Sequence, residues 1–161
     1  MERDTKGFTL IELLIVIAII LIIAAMAIPN LIRSRIAANQ VSAVESLRMI
    51  NTSEATYSST YGIGYSGDLL QLGPPPAGSP VTSSAAGLLD SVVSSGFKSG
   101  YTFVYSPAYI DRNGHYNGYT AIANPTEAGI SGTAYYFTDQ TAVIRANTSG
   151  TASASDSAVA N

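Results

Sequence analysis

KGFTLIELLIVIAIILIIAAMAIPN, residues 6–30, sets one carboxylate, Glu12, at the front of an apolar run that continues unbroken from Leu13 to Ile28. Between Phe8 and Ile28 stand fourteen Phe, Leu, Ile or Val residues. At about 0.3–0.6 kcal/mol each, they favour membrane insertion by roughly 4–8 kcal/mol. One Glu opposes this by about 3 kcal/mol at the bilayer centre, and by less near the edge, where it reaches water. Insertion wins. The length also suits, because ~20 helical residues cross a hydrocarbon layer of ~30 Å. The run is longer than the ~7–15 apolar residues of a secretory signal peptide, and amphipathic sequence continues beyond Pro29. The expectation is a membrane-spanning helix over residues 8–28. A plain anchor has no use for Glu12, so its carboxylate calls for a partner.

The rest of the composition narrows the possibilities. The 161 residues allow one domain, or one domain and an appendage. Charged residues make up 12%, about half the usual share, and 47% are hydrophobic. The net charge is −3 with no basic stripe, which argues against a nucleic-acid partner. Without cysteine there is no disulfide, zinc knuckle or thiol nucleophile. A domain of this kind is held by its own packing or by burial against neighbouring subunits.

Past Pro29 the pattern turns from apolar all round to amphipathic. Ile32, Ile36, Ala43, Val44, Leu47, Ile50, Tyr57 and Tyr61 recur at helical spacing, while Arg33, Arg35, Asn39, Ser42, Glu45 and Arg48 mostly fall elsewhere. One helix is expected from about Phe8 to Tyr61, kinked near Pro29, where a backbone hydrogen bond is lost. Its second half, 29–61, should lie under a globular head. Gly62, Gly64 and Gly67 end it and open a connecting region, 62–100. Within that region GPPPAGSPVTSSAAG, residues 73–87, reads as extended and partly polyproline, and Leu88–Val93 as a short helical turn. Strand signals follow at 101–105, 119–123, 134–138 and 142–145, with turns at Asn113-Gly114 and Asp139-Gln140. They predict a three- or four-stranded antiparallel sheet over 101–146, its apolar face on the helix. Residues 147–161, rich in Ser, Thr and Ala, read as a flexible tail. The fold class is α+β.

Lys6-Gly7-Phe8-Thr9-Leu10-Ile11-Glu12, with the apolar run and Pro29 behind it, resembles the N-terminus of type IV pilins and their relatives, the pseudopilins. The resemblance implies the pilin fold and a role as a structural subunit rather than an enzyme, with no cofactor. It implies that residues 1–7 are a leader, that a prepilin peptidase cuts between Gly7 and Phe8, and that the new amine of Phe8 is methylated. It also implies a path from the bacterial inner membrane, through a pilus assembly platform, into an extracellular filament. The main partner is then the chain itself, as a helical homopolymer, and Glu12 pairs with the Phe8 amine of an adjacent subunit. Two buried opposite charges that meet only at one axial offset act as a register device. A major pseudopilin of a type II secretion system is the alternative within the superfamily. A membrane-anchored binding or enzymatic domain is the alternative outside it. Two features depart from the family pattern. Leu21 stands where many members have a glycine within the apolar run, and no disulfide can clip the C-terminal loop.

Other chemistry is sparse. The single histidine, His115, reads as an exposed residue beside the hairpin turn, and no G-x-S-x-G, P-loop or H-E-x-x-H motif is present. Asp111, Asn113 and Asn117 could offer oxygen ligands to calcium, although turn formation alone explains Asn-Gly pairs. The ten tyrosines fall mostly at packing positions. Asn51-Thr-Ser53 and Asn147-Thr-Ser149 match the N-glycosylation pattern.

Overall fold

A computed structural model describes residues 7–159. Residues 1–6 of the expected leader therefore lie outside the described residues. The chain divides into two units, Met1–Arg35 and Ile36–Asn161. A helix, α1 (Leu10–Tyr61), contributes to both, with Pro29 inside it.

The first unit contains the apolar part of α1, which is long and apolar enough to cross a membrane. Its large hydrophobic side chains find no cover within the chain: Leu10 is 81% exposed, Leu21 66% and even Val16 48%. A helix apolar on every side needs lipid or other apolar helices around it.

In the second unit α1 becomes one-sided. Ala43, Ser46, Leu47, Ile50, Asn51, Ser53, Glu54 and Tyr57 are buried, three or four residues apart along one face. Ile32, counted in the amphipathic stripe from sequence, is exposed. Gly62 follows the last turn with φ +66°, a left-handed conformation that glycine adopts without steric cost.

Two single-turn helices follow, α2 (Leu69–Leu72) and α3 (Ser91–Ser94). Each opens on an aspartate cap. Asp68 accepts from the N–H of Gln71, and Asp90 accepts from those of Val92 and Val93. The helical turn expected at 88–93 thus falls slightly later. The proline-rich stretch 73–87 is a closed excursion rather than an open connection. At its base the carbonyl of Leu72 accepts from the N–H groups of both Leu88 and Leu89 at 2.9 Å, and Gly87 N–H donates to the Gly73 carbonyl at 2.8 Å.

The sheet is an antiparallel meander of six strands in chain order: β1 (Phe97–Lys98), β2 (Tyr101–Ile110), β3 (Tyr116–Pro125), β4 (Tyr135–Asp139), β5 (Arg145–Asn147) and β6 (Ser157–Ala158). The antiparallel α+β architecture is as expected, but the strand count is higher. β2 runs on past Pro107 because β1 pairs only with Tyr101 and Thr102, leaving the rest of that edge free to hold a residue without an N–H. The strand expected at 142–145 starts instead at Arg145. Asp139 spends the intervening residues on a turn, its carbonyl accepting from Ala142 N–H at 2.8 Å, and Ala142 sits at φ +59°.

On the inner face large side chains oppose small ones. Phe103 pairs with Ala123 and Tyr105 with Ala121, so the alanines leave room for the aromatic rings. Leu47 and Ile50 of α1, Leu72, Leu89 and Val93 join Tyr101, Phe103 and Tyr119 in one core. Tyr105 and Tyr119 stack with ring centroids 5.7 Å apart. Burial pushes the Tyr101 phenol up to about 12, and its hydroxyl donates to the Ala134 carbonyl at 2.8 Å.

The segment read as a tail adds to the sheet. Ser157 and Ala158 pair with Ala146 and Arg145, Ala152 is 3% exposed, and Arg145 donates to the Asp156 carbonyl at 2.8 Å. Asp156 closes a small loop by accepting from Ser153 N–H at 2.7 Å and from the Asn147 amide at 3.0 Å. This polar pattern, built from Ser, Asn and Asp, carries no hydrophobic periodicity for a sequence reading to detect.

Candidate functional site: the amino-terminal segment

The features singled out at the N-terminus fall within a few residues. Gly7 precedes the helix with open space around it, and Phe8 is 86% exposed. α1 then starts at Leu10. The Glu12 carboxylate has a partner within its own chain: Oε2 accepts from Thr9 N–H at 2.9 Å and from Thr9 Oγ1 at 2.8 Å. In return, Glu12 N–H donates to Thr9 Oγ1 at 3.3 Å. Thr9 and Glu12 therefore form a reciprocal capping box, satisfying helix-start N–H groups that would otherwise lack acceptors.

The sequence reading missed Thr9. Its signal was there to be read, since Thr9-Leu-Ile-Glu12 ahead of an apolar run is the S/T-x-x-E capping pattern. The carboxylate also lies at the positive end of the helix dipole, which favours it there.

Asp111, Asn51 and Asn147 take part in the local structure. Asp111 Oδ1 accepts from the N–H groups of Asn113 at 2.8 Å and His115 at 2.9 Å, so this side chain organises the β2–β3 turn. Those donors, His115 N–H first, hold its carboxyl below the usual carboxylate range. Its other oxygen lies 3.7 Å from His115 Nδ1. Asn113 and Asn117 are exposed, and the described residues contain no group of three His, Cys, Asp or Glu side chains placed to hold a metal.

Asn51 is buried with both ends of its amide engaged. Its Oδ1 accepts from the Tyr119 hydroxyl at 2.9 Å, and its Nδ2 donates to Thr138 Oγ1 at 3.0 Å. A glycan there is incompatible with the folded head. Asn147, in the second pattern, has its amide tied to Asp156 and Ser149.

A helix of membrane-crossing length starts on a capped carboxylate, and the second unit packs a helix against an antiparallel meander, an arrangement consistent with the α+β pilin fold. The prokaryotic N-terminal methylation motif matches residues 3–28. The type IV wide pilus major component PilA4 of Thermus thermophilus is 70% identical over 37 residues, 23% of this chain and 28% of that protein. The type IV major pilin protein PilA of Myxococcus xanthus is 46% identical over 54 residues, 34% of this chain and 24% of that one. The chain is thus similar to these type IV pilus proteins in its N-terminal segment, and the matches span about a quarter of the length of either relative. No solved structure matches it.

Proposed function

We propose that the chain is a structural subunit of a type IV pilus. One observation carries this reading: an apolar helix, uncovered on all sides, begins with a single carboxylate held in place by Thr9. Such a helix is stable in lipid or in a bundle of its own kind, and both are stages in the life of a pilin. The two pilus proteins named above resemble it in this segment.

In this mechanism residues 1–7 are the leader, a prepilin peptidase cuts between Gly7 and Phe8, and the Phe8 amine is methylated. The precursor spans the inner membrane until an assembly platform moves it into an extracellular filament. While the chain is alone, Thr9 keeps the Glu12 carboxylate hydrogen-bonded at the lipid edge. In the filament the same carboxylate faces the Phe8 ammonium of an adjacent subunit and fixes the axial register. The pair adds little net stability, but removing one member leaves an uncompensated buried charge costing about 3–5 kcal/mol.

Glu12→Ala tests the mechanism. The variant should lose its leader normally, yet electron microscopy should find few or no filaments on cells that make it in place of the wild type. Abundant filaments of normal symmetry would contradict the register role.

A further inference from the structure

The proposed assembly makes no use of another carboxylate, Glu54, which lies about two turns before the C-terminal end of α1. Glu54 is 0% exposed, and so is Ser66, which faces it from the loop between α1 and α2. Glu54 Oε2 accepts from Ser66 N–H at 3.0 Å, and Oε1 lies 2.5 Å from Ser66 Oγ. The same Oγ lies 3.0 Å from the Asp68 carbonyl oxygen and 3.2 Å from the Tyr105 hydroxyl. Tyr105 in turn donates to the Ser66 carbonyl at 3.0 Å. The titratable groups felt around this site are all acids: Tyr57 on α1, Tyr105 on β2, Tyr119 on β3 and, beyond them, Asp68. None of the ion pairs among the described residues includes Glu54.

Two proton arrangements fit these distances. If Glu54 is ionised, both Ser66 donors serve it and the Tyr105 hydroxyl can turn to it from the Ser66 carbonyl, but a charge sits in the core with no cation beside it among the described residues, which is costly. If Glu54 is protonated, its O–H donates to Ser66 Oγ across the 2.5 Å contact, and the Ser66 O–H is free to turn to the Asp68 carbonyl at 3.0 Å. Oε2 still accepts from Ser66 N–H, so each of these polar atoms keeps a partner and no charge is buried.

We propose that Glu54 carries its proton in the closed state, and that the Glu54–Ser66–Asp68 hydrogen-bond chain is a latch that holds the 62–68 loop to α1 and loosens as pH rises. The loop has reason to need one. Gly64, at φ +79°, passes so close to the Tyr116 backbone that a Cβ there would collide with its carbonyl, and Tyr65 N–H donates to that carbonyl at 2.8 Å. Burial, the largest influence, raises the Glu54 carboxyl above its usual 4.5, against the lowering hydrogen bonds from Ser66 and Tyr105. The sign follows. Between the usual value and the raised one, the open or unfolded state has lost its proton while the closed state keeps it. The closed state is therefore favoured fully on the acid side and loses up to about tenfold per pH unit as pH rises through that window.

The test uses the full-length protein in detergent micelles. Hydrogen exchange at the Tyr65 and Ser66 amides, corrected for intrinsic rates from pH 5 to 9, should lose protection as pH rises. In Glu54→Gln, which cannot ionise, protection should stay level. Infrared spectroscopy of the wild type should show, at the acid end of that range, the carbonyl band of a protonated carboxylic acid that is absent from the Gln variant and fades as pH rises. If Glu54→Gln fails to fold, Ser66→Ala, which removes the hydroxyl relay, should shift that band or abolish it. A wild type whose acid band at pH 5 is no different from that of the Gln variant, or with protection independent of pH, would overturn the proposal.

Discussion

Thr9 and Glu12 close the first turn of α1 with hydrogen bonds inside the chain itself. Lipid offers no hydrogen bonds to the free N–H groups at a helix start, so satisfaction within the chain matters more there than in water. The reciprocal bonds supply it, at 2.9 Å and 2.8 Å to the carboxylate. Thr9→Val keeps the volume and branching of the side chain but deletes the hydroxyl. It should cost the helix start about 1 kcal/mol, the usual worth of a cap. Amide exchange at Glu12 in the uncut protein should speed up correspondingly, while exchange in the head stays unchanged. Equal rates in both proteins would mean that the hydroxyl is not what holds the first turn. At this scale the sequence was informative about chemistry and silent about partners. Glu12 stood out because it was the lone charge in an apolar run, whereas Glu54 looked like one more polar residue on an amphipathic helix. Its burial depends on Ser66, twelve residues on and beyond the end of α1, and no local pattern encodes that contact.

At the scale of elements, α1 was legible because two periodicities meet in it: apolar all round, then apolar on one face. The strands at β2, β3 and β4 were legible from their runs of Tyr, Phe, Val and Ile; burial largely alternates along β3 and the first half of β2, while the three central residues of β4 are all buried. β1 and β6 have two residues each, too few to show a period, and they exist because longer neighbours offer them an edge. The fourth expected strand slipped for a related reason, the Asp139 turn consuming residues that read as strand by composition. Packing energetics belong to this scale too. Leu47 is 0% exposed at the centre of the helix–sheet core. Leu47→Ala should lower the stability of the head by about 2–5 kcal/mol, read from the midpoint of urea unfolding in micelles. A loss below about 1 kcal/mol would show that the site collapses around the smaller side chain, and that the alanines of β3 leave the helix freer to move than their burial implies.

For the whole molecule, the two units have opposite needs. The head is largely self-contained, although Asn124 Oδ1 is buried without a partner among the described residues. Its core is built from its own helix and sheet, both short helices start on a cap, and the segment up to Val159 is tied back by Val159 N–H donating to the Ile144 carbonyl at 2.8 Å. This internal closure stands in for the disulfide that the sequence lacks. The apolar part of α1 closes its own first turn but leaves its large side chains uncovered, so it needs lipid or other apolar helices around it. The methylation motif over residues 3–28 and the pilin-like N-terminus make processing the step on which the functional reading depends. Intact mass spectrometry of the protein in a mechanically sheared cell-surface fraction examines that step directly. The chain should appear there without MERDTKG and heavier by one methyl group at Phe8. Processed protein confined to membranes would point away from a surface pilus, and an uncut chain in either fraction would contradict cleavage between Gly7 and Phe8 outright.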